Sequence, residues 1–333
     1  MTPQATQTSQ FLEMQKMIEP KFNSQKFTQS NQNFTQSNEI NSDETSSNPN
    51  GIWHRFSEEK GAVLVVGHGT RKASGAAQLL DLVSQMQKLA PAAIIVGSFL
   101  ELAEPSISHA IRSLQVRGIE RIVVVPVLLF TAAHARQDIP EAVGEAATEC
   151  GLELVGQSGS LGTHSSVLAL SASRFDEVIA LERGATCPQN ACAKVKCSSG
   201  ICESRGQVFG SIGLAMVGRG TSDLAALAHM RQLTQLRVAE MDAKRFETGF
   251  FAGGEPDVDT LLEQASRWDC DTIIVQPHLL FEGELIEQLR GKVYEMQQDH
   301  PDRRWLIART LGADPKLAEV FLELAAEQIL KSA

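Results

Sequence analysis

Two histidines stand where a metal ion or a proton could be handled. His68 lies in Gly67-His68-Gly69-Thr70-Arg71, and His134 lies in Phe130-Thr-Ala-Ala-His134-Ala-Arg136-Gln-Asp138-Ile-Pro140. Glycines on both sides of a residue let the backbone turn sharply and let a ligand approach it closely. Neutral imidazole ligates divalent first-row metals, and with a pKa of about 6.5 it also accepts protons. Two such rings brought together could share one ion. The plain alternatives are a glycine-framed turn whose histidine caps a helix and, for His134, an exposed loop residue. Four cysteines, Cys187, Cys192, Cys197 and Cys202, follow one another with four residues in each gap. Zinc sites more often pair cysteines two to four apart, and ferredoxin runs mostly use two-residue gaps. The segment therefore reads as a second metal or iron–sulfur site, as a metal-delivery segment, or as a redox-sensitive or inert linker. Cys150 and Cys270 read as isolated core cysteines.

These residues need elements to position them. Ala62–Gly67 is a continuous apolar, β-branched run ending in glycine, which suits a strand buried on both faces of a parallel sheet. Helical patterns at about 73–89, 105–117, 137–149 and 165–182 alternate with strand patterns at Ala92–Gly97, Arg121–Val127 and Leu152–Gly156. That alternation indicates βαβ units. With a strand order of 2-1-3-4, the first and third strands are neighbours and both histidines lie on one rim. Ligands bind beyond that rim, at the carboxyl ends of the strands.

The order then returns. Strand patterns at Ser211–Gly218, Glu247–Phe251, Asp271–Gln276 and Trp305–Ala308 alternate with helical patterns at 222–240, 256–267, 283–298 and 314–331. A fixed offset of 151 residues maps Gly67 onto Gly218, Gly69 onto Gly220, Glu104-Pro105 onto Glu255-Pro256 and Pro126 onto Pro277. It also maps Leu128-Leu129-Phe130 onto Leu279-Leu280-Phe281. So long a period does not suit a solenoid unit. It indicates two duplicated α/β domains, near 60–183 and 207–333, joined by the Cys-rich linker 184–206. Residues 1–55, rich in Gln, Asn, Ser and Thr, read as a disordered tail.

Composition narrows the function. The formal net charge is −10, which argues against a nucleic-acid footprint, since that needs a basic face. No apolar run approaches the roughly 20 residues of a spanning helix. No apolar leader segment opens the chain, so the cytoplasm is the expected location. The Gly-His-Gly turn matches neither a dinucleotide fingerprint nor a P-loop, which leaves a nucleotide binder without support.

Three blocks carry a family resemblance. Val65-Val-Gly-His68-Gly-Thr-Arg71, Gly97-Ser-Phe-Leu-Glu101-Leu-Ala-Glu-Pro105 and Val125-Pro-Val-Leu-Leu-Phe130, the last followed by His134 and Asp138-Ile-Pro140, resemble the signatures of the sirohydrochlorin cobaltochelatases and ferrochelatases. The resemblance is specific over about 61–182 and weaker in the second half. It implies a class II chelatase fold: two flavodoxin-like domains, each a mostly parallel four-stranded sheet with helices on both faces, facing each other across a cleft. It implies insertion of Co2+ or Fe2+ into sirohydrochlorin, with His68 and His134 as the metal-binding, catalytic pair. Insertion must also remove two pyrrole protons, and Glu101 is the candidate supporting acid or base. Arg71 could pair with substrate carboxylates, with Arg136 a weaker candidate and surface solvation the alternative for both.

The second half departs from the pattern. Arg219 stands in place of His68 and Leu285 in place of His134, so the second domain is expected to have lost the metal site. Arg219 is a candidate for holding substrate carboxylates, and His278 is expected to be structural. His54, His109, His164, His229 and His300 lack the partners of a ligand set. A chain with two fused domains suits a monomer. A metal-binding or metallochaperone protein on the same fold, without turnover, is the competing reading.

Overall fold

The computed structural model describes residues 49–130, 133–186 and 210–332. All belong to one compact unit, Thr45–Ala333. The first half runs α1 (Pro49–Glu58), β1 (Gly61–Gly67), α2 (Ala73–Leu89), β2 (Ile95–Phe99), α3 (Ile107–Val116), β3 (Arg121–Pro126), α4 (Ala133–Cys150), β4 (Glu153–Gln157) and α5 (Ser165–Thr186). The second runs β5 (Ile212–Gly220), α6 (Leu224–Ala239), β6 (Arg245–Ala252), α7 (Val258–Ser266), β7 (Thr272–Pro277), α8 (Glu284–Asp299), β8 (Arg304–Ile307) and α9 (Pro315–Ser332).

The strands form two all-parallel sheets of the same topology, ordered β2-β1-β3-β4 and β6-β5-β7-β8. β1 and β5 are central, and their runs are apolar without alternation because helices cover both faces. Val63 and Val65 look toward α1, α2 and α9, while Ala62, Leu64 and Val66 look toward α3 and α4. The expected duplicated α/β architecture is present.

Two features differ from the sequence reading. Residues 49–55, read as the end of a disordered tail, instead belong to α1, which buries Trp53 and Phe56 in the first-half core. The Asn- and Ser-rich composition just before them masks that amphipathic turn. The closing helices also do not stay with their own halves. α9 packs Leu317, Val320 and Phe321 against Val63, Val65 and Val125 of the first sheet. α5 starts on the first half with Val167 and Leu170, then crosses to pack Phe175, Val178 and Ile179 against Leu214, Met216 and Ile274. Contiguous boundaries therefore follow chain order rather than packing.

Arg174 pins this crossing. Its guanidinium is buried, donates from Nε to the carbonyls of Thr310 (3.1 Å) and Leu311 (3.2 Å), and pairs with Glu177 and Asp314 at 2.7 and 2.8 Å. A buried charge is tolerable only when it is paired and hydrogen-bonded in this way.

Candidate active site

The carboxyl ends of β1, β2 and β3 face those of β5, β6 and β7 across a cleft of about 1210 Å³. His68 leaves β1 at its end, and Glu101 sits in the loop after β2. Two backbone hydrogen bonds hold these loops together: Leu100 N–H donates to Gly67 O at 2.9 Å and Glu101 N–H to His68 O at 3.0 Å. The close approach requires glycine at 69. Gly69 has φ +104°, and a Cβ there would lie 1.7 Å from Glu101 O. The second half repeats the device: Gly220 has φ +80°, and its Cβ would lie 1.8 Å from Ala252 O.

The turn sets His68 Nε2 3.3 Å from Glu101 Oε1, with both side chains about half exposed to the cleft. An imidazole nitrogen beside a carboxylate oxygen offers a divalent cation two donors and offers a departing proton two bases. His134 lies in the first turn of α4, which begins before the expected residue 137. Its side chain and that of Arg136 lie outside the described residues, as do Cys187, Cys192, Cys197 and Cys202. Among the described residues no group of three or more His, Cys, Asp or Glu side chains is arranged to hold a metal ion.

Arg71 and Arg219 are exposed on the cleft wall, one from each half. Neither makes an ion pair among the described residues, so both guanidinium groups face the cavity without a counter-ion there. Lys72 is engaged differently: it crosses between the halves to Glu287 at 2.8 Å, and that carboxylate raises its pKa. Glu104 accepts from Ser106 N–H at 2.8 Å at the start of α3. His109 pairs with it at 3.4 Å, away from the cleft.

The repeat makes the asymmetry of the two walls explicit. Arg219, Ala252 and Leu285 occupy the positions of His68, Glu101 and His134, so the second half lacks every counterpart of the candidate donor set. His278, expected to be structural, is a buried residue of the second half. It lines the cleft, is 1% exposed, and neither ring nitrogen has a hydrogen-bond partner among the described residues. Desolvation, with a contribution from the Arg237 guanidinium, lowers its pKa to about 3, so the ring is neutral at neutral pH. Phe130 leans over it at 6.0 Å between centroids. The sequence signal was present in the repeat: His278 and Gln276 align with Val127 and Val125, so polar groups stand where the first half is aliphatic.

Comparison with known proteins agrees with the duplicated fold. The CbiX family matches residues 62–178 and again 213–328. The chain belongs to the CbiX family. A sirohydrochlorin cobaltochelatase of Priestia megaterium is 27% identical over 80% of this chain and 79% of its own length. A sirohydrochlorin ferrochelatase of the same organism is 26% identical over 78% of this chain and 87% of its own. SirB from Bacillus subtilis, solved with Fe3+, superposes with a TM-score of 0.65 at 22% identity and covers 82% of this chain and 96% of that one, a likeness of fold. The double match of the CbiX family falls on the two halves that the internal repeat defines.

Proposed function

We propose that this chain is a chelatase that inserts Co2+ or Fe2+ into sirohydrochlorin. The reading rests on one observation above all: the His68–Glu101 pair, set at 3.3 Å on one wall of a two-walled cleft whose opposite wall has no counterpart of it. The half at 60–183 carries the chemistry, and the half at 207–333 is a degenerate copy that holds substrate. The metal ion is a substrate here. His68 and His134 supply its nitrogen ligands, with Glu101 beside them. Each pyrrole N–H gives up its proton as a metal–nitrogen bond forms, so one divalent ion enters, two protons leave and the inner ring stays neutral. His68 and Glu101 are the bases placed to take those protons. Apolar walls suit a flat macrocycle, and Arg71 and Arg219 suit its peripheral carboxylates, which guanidinium binds bidentately.

Three further assignments rest on sequence. We read Cys187, Cys192, Cys197 and Cys202 as a second metal or iron–sulfur site, to be tested by assaying iron, zinc and acid-labile sulfide in protein purified anaerobically. We read the chain as a monomer, because two fused halves already build both walls of the cleft. We place it in the cytoplasm; no described helix is long and apolar enough to cross a membrane.

The direct test is anaerobic incubation with sirohydrochlorin and Co2+ or Fe2+, followed by absorbance. Catalysed conversion to the metallated product is expected. Metal binding without any acceleration of insertion would replace this reading with that of a metal-binding protein.

A further inference from the structure

Leu102 follows Glu101 and adopts the left-handed conformation, with φ 60°. That region is disfavoured for any residue bearing a Cβ and is normally left to glycine. The duplicated half has glycine there, where a Cβ would also lie 2.5 Å from Thr221 O. Its corresponding residue is Gly253, which takes the same conformation at φ +65° without a side chain. The first half keeps leucine at a position where its own repeat uses glycine.

Packing does not account for the leucine. It is 49% exposed and, among the described residues, takes part in none of the apolar clusters of the core. An exposed apolar side chain on a strained backbone gains neither burial nor conformational ease in the free protein. Residues held in such conformations persist at sites where the strain presents a group to a ligand. Leu102 lines the cleft together with His68 and Glu101. Residues of the same loop already meet the β1–α2 turn through Leu100 and Glu101 N–H, so its position relative to the pair is set by backbone hydrogen bonds.

We propose that Leu102 is a substrate-contact residue, whose isobutyl group seats the flat apolar face of the tetrapyrrole beside the His68–Glu101 pair. This rests on the chelatase reading above. It assigns to Leu102 binding of the macrocycle and no part in binding the metal ion.

The test compares Leu102→Gly and Leu102→Ala with the parent. Affinity for metal-free sirohydrochlorin is read by fluorescence titration, affinity for Co2+ by calorimetry, and stability by melting temperature. Leu102→Gly is expected to raise the melting temperature, because the strain is relieved, and to weaken tetrapyrrole binding severalfold while leaving Co2+ binding unchanged. Leu102→Ala keeps the strained conformation and is expected to weaken tetrapyrrole binding without the gain in stability. A stabilised Leu102→Gly that binds tetrapyrrole as tightly as the parent overturns the proposal and leaves the chelatase reading intact. A parent that binds no tetrapyrrole overturns both. A Leu102→Gly variant that melts lower than the parent shows that the side chain serves the fold, which also overturns it.

Discussion

At the scale of single residues, the two histidines that line the cleft among the described residues are opposites. His68 is half exposed and faces a carboxylate, whereas His278 is buried with neither nitrogen satisfied. The His278 ring is held neutral by desolvation first and by the Arg237 guanidinium second, with a folded pKa of about 3 against an ordinary 6.5. In the unfolded chain the ring takes up a proton below about pH 6.5, and in the folded chain it does not until about pH 3. Its contribution to stability is therefore fully present above pH 6.5 and is lost progressively as pH falls toward 3. At about 1.4 kcal/mol per unit, the loss between pH 6.5 and 4.5 is on the order of 2–3 kcal/mol. His278→Leu is expected to be close to neutral in stability at pH 7.5, since no hydrogen bond is lost, and to unfold less readily than the parent at pH 4.5. Urea midpoints at the two pH values check this, and equal acid sensitivity in parent and variant would contradict it.

At the scale of elements, the β1–α2 turn is what makes the site. Gly69 lets the loop after β2 come within backbone hydrogen-bonding distance of the turn, and that approach sets the His68–Glu101 separation. Gly69→Ala places a methyl group on Glu101 O and a side chain at positive φ. It is expected to cost more than the roughly 1–3 kcal/mol of a strained dihedral alone and to slow insertion, because the two loops must part. Denaturant unfolding and the insertion assay read the two effects together. A variant as stable and as fast as the parent would show that the turn is not constrained in this way.

Much of this was legible in sequence, because buried parallel strands read as apolar runs and glycine turns read as punctuation. β1 and β3 fall where those runs fall. β2 starts later than the Ala92–Gly97 run suggests, because Ala93 N–H bonds back to Ala90 O and the Ala-Pro-Ala-Ala stretch is spent in a turn. The exchange of α5 and α9 was not legible. Periodicity reports which face of a helix is apolar, not which sheet that face meets. The burial of His278 was not legible either, since a lone histidine after a strand carries no local sign of its surroundings.

At the scale of the molecule, duplication supplied two walls, and divergence made them unequal. The first half carries the candidate donors His68, Glu101 and His134, and the second has arginine, alanine and leucine in their place. The crossing helices bind the halves into one folding unit. α9 completes the first core and α5 enters the second, so neither half retains its own core if the other unfolds. Trp53 reports on the first core and Trp305 on the second. Denaturation followed through variants that keep one or the other tryptophan is expected to give coincident curves. Separated transitions would mean that the halves are independent domains.

The proposed division of labour puts metal and proton chemistry on the first wall and substrate carboxylates on the second. It is tested most directly by steady-state insertion kinetics of His68→Ala and Arg219→Ala beside the parent, with each variant confirmed as folded. His68→Ala is expected to lose kcat by about 100-fold or more, as removal of a ligand and base does. Arg219→Ala is expected to raise KM for sirohydrochlorin with kcat largely kept, as loss of a uniform binding contact does. A His68→Ala enzyme that turns over normally, or an Arg219→Ala enzyme that loses kcat with KM unchanged, would contradict it.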